Sequence, residues 1–283
     1  MITHVPTFLR GGLASLVLVF GMAGAGAAEP AGSGFKQLRL SQGVVSLPPG
    51  WMERGAEVPV WLHLHGAPAV VEAQFASVGA PGVLVNVTLP GLSKVYADRF
   101  AAPGALAEVL TVVEAALRAE APGTAWRLGE VTVTSFSAGF GGVRQLLREP
   151  AAFDRIAALV LADSIYCGYT GDPKDRRVDP VLMNGFLRFA RLAAEGRKRM
   201  VVSHSAQVPE GYASTTETAD FLIRSLGGAR TEETAAWAGG LTLNSHYRSG
   251  RLEILGFTGV GPEDHMRHLR ALGVFLARVA PKP

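Results

Sequence analysis

The sequence is 283 residues long, 48% hydrophobic and 18% charged, with 27 Lys and Arg against 24 Asp and Glu. That is enough apolar chain for one sizeable core, and a single large α/β domain accounts for it as well as two small ones. The positive excess is slight, and no basic tract is interleaved with aromatics, which argues against a nucleic-acid partner.

The first thirty residues differ from the rest. His4 and Arg10 precede an apolar run, Leu13 to Ala23, which closes on Gly24-Ala25-Gly26-Ala27-Ala28. A basic start, a short apolar core and a small-residue site describe a secretory signal peptide over residues 1–28, cut after Ala27 or Ala28. An uncleaved anchor is disfavoured because the run is short for a bilayer and rich in Gly. Loss of Arg10 would leave 26 basic residues against 24 acidic ones, an excess of about two. No later segment approaches roughly 18 uninterrupted apolar residues, so no membrane span is expected after cleavage. The chain is expected to be exported, to the periplasm or beyond. Its single cysteine, Cys167, cannot form an internal disulfide, and between Tyr166 and Tyr169 it reads as a packing residue.

In chain order, Gln37–Leu40 and Val44–Leu47 are short alternating runs about Gln42-Gly43, which suggests a hairpin. Val58 to His65 is the next strand candidate, closed by Gly66-Ala67-Pro68, and Gly82 to Leu89 follows, ended by Pro90-Gly91. Ala105 to Ala119 carries Leu106, Val109, Leu110, Val113 and Leu117 at helical spacing. Val131–Thr134 is a strand, followed by a helix that ends at Pro150. Ile156 to Ala162 is continuously apolar, as befits a strand buried on both faces. After a loop from Ser164 to Asp179, the spacing predicts a helix over 181–194, a strand over 199–203, a helix over 215–226 introduced by Ser214, a strand over 251–257 and a last helix over 263–279. Strands alternating with helices imply one doubly wound, mainly parallel sheet over 29–283, with 164–198 a candidate cap or insertion.

Between the 131–134 strand and its helix lies Ser135-Phe136-Ser137-Ala138-Gly139-Phe140-Gly141-Gly142. A serine with small neighbours in such a turn resembles the nucleophile elbow of the α/β-hydrolases, where the backbone is sharp and strained. The string is S-x-S-x-G in place of the usual G-x-S-x-G, so Ser135 has a Cβ where the family usually has none. A small-residue turn serving only close packing would show the same string.

Strand order supplies a separate test, because ligands of an open parallel sheet gather at the carboxyl ends of the strands. Ser137, Asp163 and His265 each follow a predicted strand, so all three fall on one edge, in the order Ser, Asp, His used by the α/β-hydrolases. A serine hydroxyl needs an adjacent base, and the base needs a third group to hold its tautomer, roles that suit these three residues. The family usually takes its acid from one strand later, where the first carboxylate is Glu210; Asp163 is favoured because it leaves a buried strand directly. Asp154 precedes its strand, at the other edge. Among histidines, His268 falls inside the last helix and His246 before the last strand, leaving His265.

His63-Leu64-His65-Gly66-Ala67 resembles the loop after an early strand that gives one oxyanion-hole N–H, the other coming from the residue after the nucleophile; here these are Ala67 and Ala138. A metal site on His63 and His65 is the chemical rival, but no Asp or His follows within 66–71 and no H-E-x-x-H occurs. His65, Tyr166, Tyr169 and His204 are candidate pocket residues. Asn86-Val87-Thr88 fits a glycosylation pattern but lies within a predicted strand.

The resemblance covers roughly 58–279. It implies a cofactor-free, carboxylesterase-like serine hydrolase acting on a small-molecule ester or a peptide. The competing class is a catalytically silent binding protein of the same fold.

Overall fold

A computed structural model describes residues 34–52 and 56–280. The expected leader lies outside those residues. Among the described residues ten strands form one open mixed sheet in the order β1-β2-β4-β3-β5-β6-β7-β10-β9-β8. Its centre is parallel: β4 (Val83–Val87), β3 (Glu57–Leu64), β5 (Arg127–Phe136), β6 (Ile156–Ala162), β7 (Arg199–His204) and β10 (Leu252–Phe257). Each edge ends in antiparallel strands, β1 (Lys36–Leu40) with β2 (Gly43–Leu47) on one side, and β9 (Thr242–Ser249) with β8 (Thr231–Ala236) on the other.

The central strands are Val, Ile, Leu and Ala runs because both sheet faces are covered. One face carries α2 (Ser93–Phe100), α3 (Ala105–Glu120), α4 (Phe140–Leu146), α5 (Pro150–Arg155), α6 (Pro180–Ala194) and α7 (Thr215–Ser225) over Val131, Val133, Leu159 and Val202. The other carries α1 (Pro68–Ser77), α8 (Pro262–Arg270) and α9 (Leu272–Val279) over Trp61, Phe136, Val160 and Phe257. Full burial of each large side chain contributes about 1.5–3 kcal/mol, so the two layers hold the sheet rigid between them.

Within the stretch considered as a cap, α6 is a crossover helix between β6 and β7. It starts on Asp179, whose carboxylate accepts from Val181 N–H and Leu182 N–H, and it buries Met183, Phe186, Phe189, Ala190 and Ala193 against the sheet. Only 163–179, with a single 3₁₀ turn at Pro173–Asp175, remains as loop over the carboxyl edge. The expected last helix is two, α8 and α9, meeting at Ala271. Among the described residues no single helix is long and apolar enough to cross a bilayer. The one pair that passes by composition, α2 with α3, is bent by 83° and packs Phe100, Leu106, Val113 and Leu117 into the core.

Candidate active site

The turn after β5 is a strained one. Ser137 has φ +47°, a left-handed conformation that costs a non-glycine residue roughly 1–2 kcal/mol, and a 3₁₀ turn then leads into α4. The tightness is set by Gly139, where a Cβ would stand 2.1 Å from Leu64 O and 2.9 Å from Ser135 Cβ. Ser135 can keep its own Cβ because Gly139 opposite has none, so the altered first residue fits the turn.

Asp163 ends β6 in a second left-handed turn, φ +44°, and is fully buried. Its Oδ1 accepts from Ser205 N–H at 2.9 Å and from Thr215 Oγ1 at 2.5 Å, while Oδ2 lies 2.6 Å from His265 Nδ1. Burial works to raise the carboxyl, but the bond to His265, the charges of His268 and His265, and the Thr215 hydroxyl outweigh it and hold Asp163 well below the usual carboxylate range. An ionised carboxylate only accepts, so His265 puts a proton on Nδ1 toward Asp163. His265 sits in the first turn of α8, half-buried, with its ring stacked on Phe136 at 4.5 Å, next in sequence to Ser137. Among the described residues no hydrogen bond joins Ser137 Oγ to His265 Nε2. Such bonds are often long before substrate arrives.

The loop from β3 into α1 lies at the same edge. His63 is fully buried, and its Nε2–H donates to His65 O at 2.9 Å while Nδ1 accepts from Thr134 Oγ1 at 2.7 Å. Both ring nitrogens are thereby committed and unavailable to a metal, and no cluster of three or more His, Cys, Asp or Glu suits a metal among the described residues. At Gly66, φ +157°, a Cβ would meet Val71 Cγ2 at 3.0 Å and His63 Nε2 at 3.1 Å. Thr88 Oγ1 donates to Gly66 O at 2.7 Å. Ala67 is the exposed N-cap of α1, with Pro68 at the first helical position.

A serine in a strained strand-to-helix turn, a β3–α1 loop beside it, and a His–Asp pair from later strand ends now stand on one sheet edge. The fold is that of the α/β-hydrolases.

The other expected residues divide. Glu210 is exposed in the loop after β7, without the partners that Asp163 has. His65, φ +69°, points Nδ1 at Tyr96 OH, 3.0 Å away, and lies parallel to Phe136 at 6.2 Å. Tyr166 packs against Phe140 and Tyr212. Tyr169 turns its hydroxyl outward to Glu217 and Tyr212 O, under Arg176. His204 does not open onto the site: it is 2% exposed, and its Nδ1 donates to Thr216 Oγ1, whose proton goes to Ser205 O. His268 is buried, with Nδ1 on Ser203 Oγ at 2.8 Å, and His246 lies mid-strand in β9, 2.8 Å from Glu233. Asn86 is 2% exposed in β4, closed to a glycan. Sequence reasoning missed Thr215 and Ser164; the capping box Ser214-Thr215-Thr216-Glu217 was the one signal that puts Thr215 at a helix start on this edge.

No family model matches the sequence, and no curated protein does. Among solved structures the chain is similar to an uncharacterised protein from Capnocytophaga ochracea, at 13% identity and TM-score 0.48, over 88% of this chain and 65% of that one. It is also similar to a thermostable esterase, at 14% and 0.47 over 86% and 62%. A carboxylesterase from Bacillus subtilis matches at 10% and 0.43 over 86% and 90%. The chain thus spans just under two thirds of the length of the first two.

Proposed function

We propose that this chain is a serine hydrolase that cleaves carboxylic esters through an acyl-enzyme on Ser137. The observation that carries the reading is the 2.6 Å bond from His265 Nδ1 to the buried Asp163, stacked against the residue that precedes a left-handed Ser137. Ser137 Oγ attacks the acyl carbon as its proton passes to His265 Nε2, and the carbonyl electrons move onto oxygen. The reading assigns that oxyanion to the Ala67 and Ala138 N–H groups; such donors are worth about 100–1,000-fold each. The tetrahedral species collapses, the alcohol leaves with the proton held by His265, and Asp163 stabilises the imidazolium meanwhile. Water, deprotonated by the same His265, then releases the acid and frees Ser137. Peptide-bond cleavage uses the same residues and is the alternative substrate class.

A fluorophosphonate probe tests the nucleophile. The folded wild type is expected to take up about one label per chain, and Ser137→Ala to take up none. A folded wild type that stays unlabelled would turn the reading to a binding protein, and labelling of Ser137→Ala would remove Ser137 from the mechanism. Export belongs to the same proposal: protein recovered from the producing cell is expected to begin at Ala28 or Glu29, as read by N-terminal sequencing.

A further inference from the structure

Ser135 occupies the elbow position that ordinarily has no side chain, and it is fully buried. Its Oγ lies 2.8 Å from Ser164 Oγ, which in turn lies 2.8 Å from the carbonyl oxygen of Ser137. A carbonyl only accepts, so the one Ser164 proton points at Ser137 O, and Ser135 must be the donor to Ser164. The relay therefore runs one way, from Ser135 O–H through Ser164 O–H to the Ser137 carbonyl.

That carbonyl shares a rigid plane with the N–H of Ala138, and in a trans peptide the two point in opposite directions. The same oxygen accepts Phe140 N–H in the 3₁₀ turn, so the relay is its second tie, and holding it inward aims the Ala138 N–H the opposite way. The neighbouring peptide is held alike, since Thr88 Oγ1 donates to Gly66 O, whose plane carries the Ala67 N–H. Ser164 also follows Asp163 directly, so its hydroxyl ties together two left-handed turns at the ends of paired strands, Phe136 lying opposite Ala162. Left-handed backbone at a non-glycine residue persists only where its surroundings over-determine it.

We propose that Ser135 and Ser164 are positioning residues, whose hydroxyl relay holds the Ser137–Ala138 peptide so that Ala138 N–H is aimed at the oxyanion. The inference rests on the hydrolase reading above. Aim matters where negative charge develops and hardly at all in the ground state, so the loss appears in kcat and leaves KM alone. Ser135 acts only through Ser164, so its effect vanishes once Ser164 is gone.

The test uses the full chain with an activated ester and a boronic acid, which forms a tetrahedral adduct on serine. Ser164→Ala is expected to lower kcat by about 10- to 30-fold, and Ser135→Gly by about 5-fold, both with KM within about twofold. Boronate affinity should fall in step with kcat, and the double variant should be no slower than Ser164→Ala. A purely structural role would lower the melting temperature without this split between kcat and KM. Ser135→Gly restores the ordinary elbow residue, so it decides alone if Ser164→Ala does not fold. A Ser135→Gly enzyme within twofold of wild type in kcat and boronate affinity overturns the inference while the hydrolase reading stands. A folded wild type that no fluorophosphonate labels removes the reading, and the inference with it.

Discussion

Asp163 is the residue on which the proposed chemistry turns. A fully buried carboxylate is unfavourable unless its oxygens are bonded, and here each is: Ser205 N–H and Thr215 Oγ1 on one, His265 on the other. An amide in its place offers an N–H₂ that cannot accept from His265 Nδ1–H, so the ring would turn or take the wrong tautomer. Asp163→Asn is accordingly expected to lower kcat on an activated ester by about 100-fold or more, whereas Glu210→Gln, exposed in its loop, should stay within about twofold. Rates for the two purified variants decide it, and the reverse ranking would move the acid to the later strand. The placement of Asp163 was legible in the sequence because a continuous apolar strand, Ile156–Ala162, delivers it straight to the carboxyl edge. Its left-handed turn and its three donors were not, since they come from residues 42 to 102 positions away.

The start of α7 is the element that supports that acid. Ser214 and Glu217 close a capping box, which fixes the first turn and sets Thr215 on Asp163 and Thr216 on Ser205 O. The positive end of the helix also lies toward the carboxylate, which favours its charge. Thr215→Val keeps the shape and removes one donor, so unfolding free energy should drop by about 1–3 kcal/mol and kcat by roughly 5- to 10-fold. Ser214→Ala should lose about 1 kcal/mol with kcat close to wild type, because Thr215 keeps its place in the packed helix. Urea melts and steady-state rates on both variants check this; equal kcat losses would make the helix end, and not the hydroxyl, the support. Elements with an apolar period, such as α3, α6, α7 and the central strands, were readable to within a few residues. Others escaped, α2 and β9 among them. α1 buries Val71, Glu72 and Phe75 without a clear apolar stripe, β8 is an exposed polar edge strand, Thr231–Ala236, whose pairing to β9 slips between Glu232 and Ala235, and the break at Ala271 leaves the helical period of 263–279 intact.

For the molecule as a whole, the consequence is a particular dependence of stability on pH. Burial lowers His63, His65, His204 and His268 to about 4 from an ordinary value of 6.5, with the charge of His265 adding to the effect at His65 and that of Arg230 at His204. Between about pH 6.5 and 4 the unfolded chain takes up protons at these sites that the native state refuses. Stability is then complete above pH 6.5 and falls as the pH drops through that window. Each group contributes up to about 1.4 kcal/mol per pH unit, so four together can remove several kcal/mol per unit from a total on the order of 5–15 kcal/mol. Asp163 does not share this window. Its carboxyl is held below an ordinary 3.8, so its contribution persists above that value and is lost only in stronger acid. Urea midpoints are therefore expected to be level from pH 8 to 7, to fall between 6.5 and 5, and to approach zero before Asp163 titrates. His268→Phe, set between Phe257 and Phe275, should flatten the fall by about one proton's worth of slope. A midpoint that stays level from pH 8 down to 4.5 would mean that these imidazoles are not held neutral by the fold.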